Sequence, residues 1–311
     1  MNSASQALLW RRALELSPAQ FRRIAAWAVG WLILIIATGA TVRLTGSGLG
    51  CRHWPGCQPG DFFPQNARGY HPYVEFGNRV VASLTVLTTL VCAVASLRTR
   101  GLARGVKVLA WIVFAGTLAQ APLGAITIHY DLNPWLVLTH LLVSLAVLGL
   151  GVVVLLEALR HLRGSAPALA LPARLAGAVL AAAVGVLVVT GTLATAAGPH
   201  PGSTAVRRVG SFQPAVALHV RATAAFGIVF LVLAAWAWHE RTRVPWLVRG
   251  CAGLLGLLAV QMAIGETQYR TGLPWWVVLM HVTLAACVFA WTIGLVARLW
   301  RPAAPAAPNV T

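Results

Sequence analysis

Three histidines, His140, His219 and His281, lie inside strongly apolar stretches, each five to seven residues past a proline: Pro134, Pro214 and Pro274. On an α-helix that offset is roughly 9 Å below the helix end. Asn78 sits six residues past Pro72, at the same depth. Four stretches therefore offer a polar group at one level. An ionisable side chain in hydrocarbon is costly and marks a candidate site. Neutral imidazole ligates metals and serves as an axial ligand of haem iron. One such histidine alone is explained more simply by a hydrogen bond to a helix carbonyl. Three at matched depth, with His219 and His281 placed to face each other, favour haem ligation. A compact zinc or copper site would need further ligands nearby, and the sequence offers none.

Glu75 precedes Asn78 by one helical turn, so the two share a face. A carboxylate at this level beside a cofactor can accept a proton or steady a developing cation. Its plainer role is an i,i+4 pair with Arg79, and the two roles are compatible. Glu266, just before Tyr269 and Arg270, reads as interfacial. The other six histidines (His53, His71, His129, His161, His200 and His239) read as solvated residues.

The elements that position these residues follow from composition. The chain has 311 residues, of which 58% are hydrophobic and only 10% charged, with a mean hydropathy of +0.75. Soluble domains carry about 25% charge, so this is a polytopic membrane protein. A spanning helix needs roughly 20 apolar residues. Eight stretches qualify, at 24–42, 75–97, 108–128, 135–156, 174–195, 214–238, 248–268 and 274–297. The first ends in Thr-Gly and lacks a small-residue cleavage site, so a removed leader is not expected.

The net charge of +17 comes from 24 Lys+Arg against 7 Asp+Glu. On a soluble protein it would suggest nucleic acid. Here 16 of the 24 fall before the first stretch, after the second, fourth and sixth, and in the tail. The richer side is expected to be cytoplasmic, with both termini inside. The basicity is a topology signal, and a nucleic-acid partner is excluded.

The chain also repeats. Gln120-Ala-Pro-Leu-Gly124 precedes Pro134-Trp135 and His140, and Gln261-Met-Ala-Ile-Gly265 precedes Pro274-Trp275 and His281. The offset is 141, and it carries Asn78 onto His219. Thr38-Gly39 resembles Thr190-Gly191 at an offset of 152. The expected fold class is an all-α membrane protein of two pseudo-symmetric four-helix bundles, related by an axis along the membrane normal. The expected division is a cytoplasmic segment 1–23, a first half 24–157, a linker 158–173, a second half 174–297 and a disordered tail 298–311. Cys92, Cys251 and Cys287 lie in spans and read as small hydrophobes. Cys51 and Cys57 share the first external loop, where an oxidising environment permits a disulfide. A structural staple and a redox-active pair both remain open there.

Taken as a set, these residues resemble the haem A synthase family. The motifs are Thr45-Gly-Ser-Gly-Leu-Gly-Cys51 with Trp54-Pro-Gly-Cys57, Glu75-Phe-Gly-Asn-Arg79, and the two Gln…Gly…Pro-Trp…His blocks. The resemblance runs from Thr38 to about residue 297. It implies oxidation of the C8 methyl of haem O to the formyl of haem A, in the bacterial plasma membrane. It implies a haem b held by His219 and His281 in the second half. The substrate haem would sit in the first half with His140 as ligand and Glu75 as the catalytic carboxylate. It matches Cys51 and Cys57 to a paired-cysteine class, and implies haem O synthase as substrate donor, a role in cytochrome oxidase assembly and a separate electron acceptor. Many members carry His where this chain has Asn78, which predicts iron held from one side, with Asn78 a weak ligand or none. Arg43, Arg79, Arg207, Arg208 and Arg221 are candidate propionate partners, Arg79 and Arg221 foremost. The rival readings are a quinol-linked dihaem b-type cytochrome and a haem transporter. A prenyltransferase with Asp-rich diphosphate motifs is excluded, because Asp occurs only at Asp61 and Asp131.

Overall fold

The computed structural model describes residues 15–65, 68–203, 206 and 208–304. Its elements are α1 (Pro18–Leu44), α2 (His71–Arg98), α3 (Arg104–His129), α4 (Pro134–Arg163), α5 (Leu171–Ala197), α6 (Phe212–His239), α7 (Pro245–Arg270) and α8 (Trp275–Trp300). All eight are long and apolar enough to cross a membrane. They contain seven of the eight expected stretches and all but the first residue, Pro274, of the eighth, and extend most ends by several residues, because local chemistry sets them. Ser17 and Gln20 form a reciprocal capping box ahead of Pro18, satisfying two backbone donors that a helix start leaves free. Asn133 caps α4 ahead of Pro134.

The repeat is visible in the helix bounds. His71 and Phe212, Arg104 and Pro245, and Pro134 and Trp275 start helices 141 residues apart. The turns before α4 and α8 also match. Leu132 and Leu273 both adopt positive φ, at 58° and 62°. Each donates its N–H to the carbonyl five residues earlier, Thr127 and Gln268, at 2.8 Å.

Within the first half α1 packs on α2 and α4, and α3 on α2 and α4; the second half repeats this with α5–α8. The halves meet through α1 on α8, α4 on α5, and α4 on α8. Exchanging α1–α4 with α5–α8 maps this set of contacts onto itself. That is the behaviour of two four-helix rings about a two-fold axis passing between α4 and α8. Each ring has its own core, one around Phe21, Leu32, Leu145 and Leu148, the other around Leu180, Phe226, Phe230 and Leu254. Phe289 packs against both.

The Arg-rich face is tied together by backbone and charge. Leu16 N–H bonds Arg98 O at 3.0 Å. Glu157, only 5% exposed, accepts from Arg160 at 2.7 Å and from Arg301 at 3.0 Å. The disorder expected of the tail from residue 298 does not hold for 298–304. Helix α8 runs to Trp300, and the 164–166 linker then pairs with the chain through Ala166 N–H to Pro302 O and Ala304 N–H to Gly164 O. The physical reason is that the linker backbone needs partners, and the chain leaving α8 supplies them. Residues 1–14 and 305–311 lie outside the described residues.

The Glu157 cluster yields a prediction. Removing one member of a buried charge group leaves its partners uncompensated, discounted here because Arg301 is about half exposed. Glu157→Ala is expected to cost about 1–2 kcal/mol. Glu240→Ala, which breaks an exposed-side pair with Arg243, should leave thermal unfolding in detergent unchanged. Equal midpoints for the two variants would contradict this account of the inter-half tie.

Candidate functional site

The second ring brings two imidazoles together. The His219 and His281 ring centroids lie 6.5 Å apart with the planes at 81°. Two metal–nitrogen bonds of about 2 Å, with about 1.1 Å from each nitrogen to its ring centre, require about 6.2 Å. The spacing therefore fits one iron between the rings. The close approach to the neighbouring helices depends on glycine. A Cβ at Gly191 would lie 3.0 Å from His219 Cε1, and one at Gly265 would lie 3.1 Å from His281 Cε1.

The neighbouring helix also orients each ring. Thr190 Oγ1 bonds the carbonyls of Val186 and Leu187 at 3.0 Å and lies 3.3 Å from His219 Nδ1. With its single proton directed to its own helix, its oxygen, like Leu187 O, is placed to accept from a protonated Nδ1. That tautomer leaves the Nε2 lone pair of His219 for a metal. On α7, Gln261 Nε2 lies 3.2 Å from His281 Nε2 and donates to His281 O at 3.1 Å. His281 Nδ1 and Gln261 Oε1 are buried without a partner. Orphaned polar atoms of this kind are what a bound group would satisfy.

In the first ring the same positions hold different groups. His140 on α4 is close to Gly124, where a Cβ would lie 3.6 Å from Cε1. Its Nδ1 and Gln120 Nε2 are buried without partners. Asn78 occupies on α2 the position of His219 on α6, and its Oδ1 accepts from Thr38 Oγ1 at 2.7 Å. Among the described residues no three His, Cys, Asp or Glu side chains converge as a cluster for a bare metal ion. The residues present suit a macrocycle that brings its own equatorial donors, with this chain supplying one or two axial ones.

Above the first ring lies the disulfide loop. Cys51 and Cys57 are bonded, with Cα atoms 4.3 Å apart, and both are buried. Glu75, 3% exposed, accepts from Cys51 N–H through Oε2 at 2.7 Å and from Arg79 Nη2 through Oε1 at 2.6 Å. Arg79 also donates to the carbonyls of Cys51 (2.7 Å), His53 (2.7 Å) and Gly56 (2.6 Å). Four N–H groups of its guanidinium are thereby committed. Arg79, expected as a propionate partner, here clips the loop to α2, because a buried carboxylate and several loop carbonyls compete for it. Gly50 allows that approach, since a Cβ there would sit 2.6 Å from His71 O.

The remaining arginines also differ from expectation. Arg43 donates to Thr195 O at the end of α5 and so bridges the halves. Arg221 is exposed, two residues from His219 and thus about 200° round the helix, so it faces away from the ring. Arg208 is exposed on the loop between α5 and α6, and Arg207 lies outside the described residues. Glu266, read as interfacial, pairs with Arg270 at an exposed helix end. His71, His161 and His200, read as solvated, instead bond Ser47 Oγ, Arg100 O and Leu273 O. Thr38, Thr190 and Gln261 contact the candidate site residues in ways that their types did not advertise, and Gln120 holds the position equivalent to Gln261. Their repetition at the offsets of 152 and 141 was the available signal.

The family model described as cytochrome oxidase assembly protein matches residues 22–293. A heme A synthase of Lysinibacillus sphaericus is 33% identical over 131 residues, 40% of this chain and 42% of its own length. One from Geobacillus thermodenitrificans is 31% identical over 136 residues, 43% of this chain and 42% of its own. One from Bacillus cereus is 34% identical over 116 residues, 37% and 36% respectively. The chain thus spans about two fifths of the length of the curated relatives it matches.

The loop clip generates a prediction. In Arg79→Leu the carbonyls of Cys51, His53 and Gly56 lose their donor, and the disulfide should lose its cover. Reduction by a small phosphine, read by alkylation and mass spectrometry, should accelerate at least tenfold. An unchanged rate would show that Arg79 does not shield the bond.

Proposed function

The chain belongs to the cytochrome oxidase assembly protein family, and we propose that it is a haem A synthase of the bacterial plasma membrane, oxidising the C8 methyl of haem O to a formyl group. The observation that carries this reading is the unequal pair of rings. One offers two facing imidazoles. The other offers one imidazole, an amide and, a turn away, a buried carboxylate. An electron-transfer protein with two equivalent haems would need neither Glu75 nor Asn78.

In this reading residues 174–297 hold a haem b through His219 and His281, and residues 24–157 receive haem O on His140. Both termini are cytoplasmic, so the rings and the disulfide loop lie toward the outer surface. When bound, the haem b supplies one-electron relay chemistry. Thr190 holds His219 in its ligating tautomer, and Gln261 holds His281. Arg208, exposed at the outer mouth, is the remaining candidate for a propionate. Haem O synthase is the proposed donor of substrate.

Two hydroxylations of the methyl carbon by water, each releasing two electrons and two protons to acceptors, give a gem-diol that loses water to the aldehyde. Glu75 accepts from Cys51 N–H and Arg79, and the Gly50 backbone N–H also bears on it. The acceptor capacity left over can take a proton or steady positive charge developing at the methyl carbon. Its fixed hydrogen bonds hold that charge in place before the reaction, which is how electrostatic stabilisation avoids a reorganisation cost.

Co-expression with a haem O synthase, followed by chromatography and mass analysis of extracted haems, tests the reading. The wild type should yield haem A. Glu75→Ala should accumulate haem O or its hydroxylated form while retaining the second-half haem. His219→Ala and His281→Ala should lose that haem's spectrum. Normal haem A output from Glu75→Ala would refute the role given to the carboxylate.

A further inference from the structure

Thr38 and Thr190 are repeat-equivalent, each next to a glycine and each on the helix preceding an axial position. Their hydroxyl protons are directed differently. Thr190 has two carbonyls of its own helix at 3.0 Å and His219 Nδ1 at 3.3 Å. The closer acceptors take the proton, and the oxygen is left to accept. Thr38 has its own-helix carbonyl, Ile35 O, at 3.3 Å and Asn78 Oδ1 at only 2.7 Å. A hydroxyl hydrogen bond is strongest near 2.7–2.8 Å, so here the proton goes across to Asn78. The same residue type at the same place is an acceptor in one ring and a donor in the other.

The consequence lies at Asn78. With its carbonyl oxygen held by Thr38, the carboxamide has its Nδ2 group left over as a donor. Among the described residues Nδ2 has no hydrogen-bond partner, and the side chain is only partly buried. We infer that Thr38 and Asn78 form a hydrogen-bond donor site on the open side of the first-ring haem, built for a small anionic or oxygen-based iron ligand such as hydroxide, water or fluoride. This rests on the one-sided ligation by His140 proposed above.

The chemistry is consistent on three counts. An amide N–H is too weak a base to ligate iron but can donate to an atom that does. A donor facing a bound anion strengthens its binding, most of all away from water. A histidine at position 78 would fill the axial position itself and exclude any exogenous ligand.

The test uses the full chain in nanodiscs, loaded with haem b and ferric haem O, with sodium fluoride as probe. Fluoride binds high-spin ferric iron and gives a distinct visible band, and the second-ring haem, held by two imidazoles, should not respond. That unresponsive spectrum also reports that each variant is folded. In the wild type the first-ring haem should be high-spin and bind fluoride. Asn78→Leu and Thr38→Val should each weaken fluoride at least tenfold, and Asn78→His should abolish binding and convert the site to low-spin.

A high-spin first-ring haem whose fluoride affinity is unchanged, or increased, in both Asn78→Leu and Thr38→Val would overturn the donor site while leaving one-sided ligation standing. A wild-type first-ring haem that is low-spin and refuses fluoride would overturn both. Loss of first-ring haem from wild type itself would do the same.

Discussion

A polar side chain placed in hydrocarbon has to find its partner within the protein, and in this fold the partner comes from the preceding helix. Thr38 on α1 meets Asn78 on α2, Thr190 on α5 meets His219 on α6, and Gln261 on α7 meets His281 on α8. Three of the four antiparallel helix pairs are therefore units that carry a polar group and the residue that orients it, while His140 on α4 has no such partner on α3. Closing two such units into a ring sets two axial groups at one depth. The glycines follow from the same constraint. An imidazole aimed at a central metal must lie almost against the neighbouring helix, where a Cβ would intrude.

The loop over the first ring obeys this rule with charge in place of dipoles. Glu75 is nearly inaccessible, and an ionised carboxylate so buried needs several donors. It takes one from its own helix, Arg79, and one from the loop backbone at Cys51. Arg79 then needs acceptors for its other N–H groups, and the loop carbonyls provide them. The disulfide shortens the segment that must be organised, and cis-Pro55 lies within it. Carboxylate, guanidinium and loop are thus mutually dependent, and the loop conformation is in large part a solvation shell for Glu75.

The spans, the repeat and the three intramembrane histidines were legible because each rests on periodicity or on the cost of a polar atom in lipid, which sequence displays directly. Glu75 was legible for the same reason. The employment of Arg79 was not. Its loop acceptors are backbone carbonyls some two dozen residues away, and backbone groups leave no mark in sequence. The exposure of Arg221 was not legible from its proximity to His219 along the chain, because the helical angle between them decides it. The order of residues 298–304 was missed because composition reports the absence of a core and says nothing of backbone pairing with a linker. The direction of the Thr38 and Thr190 hydroxyls is set by differences of a few tenths of an ångström in competing acceptors.

Those small differences run in one direction between the halves. A Cβ at Gly191 or Gly265 would lie 3.0–3.1 Å from the facing imidazole, whereas at Gly124 the distance to His140 is 3.6 Å and at Gly39 the distance to Asn78 is 4.0 Å. The second ring grips both axial groups tightly, and the first leaves space around each of its own. A dense contact sharpens geometry, since a gap of half an ångström already forfeits much of the dispersion attraction. A resident cofactor gains from that sharpness, because tight axial geometry opposes dissociation. A substrate that must enter, react at its edge and leave gains from its absence. Under the proposed function, one repeat, duplicated, yields a holding site and an exchanging site through slack at two glycines and the replacement of one imidazole by an amide.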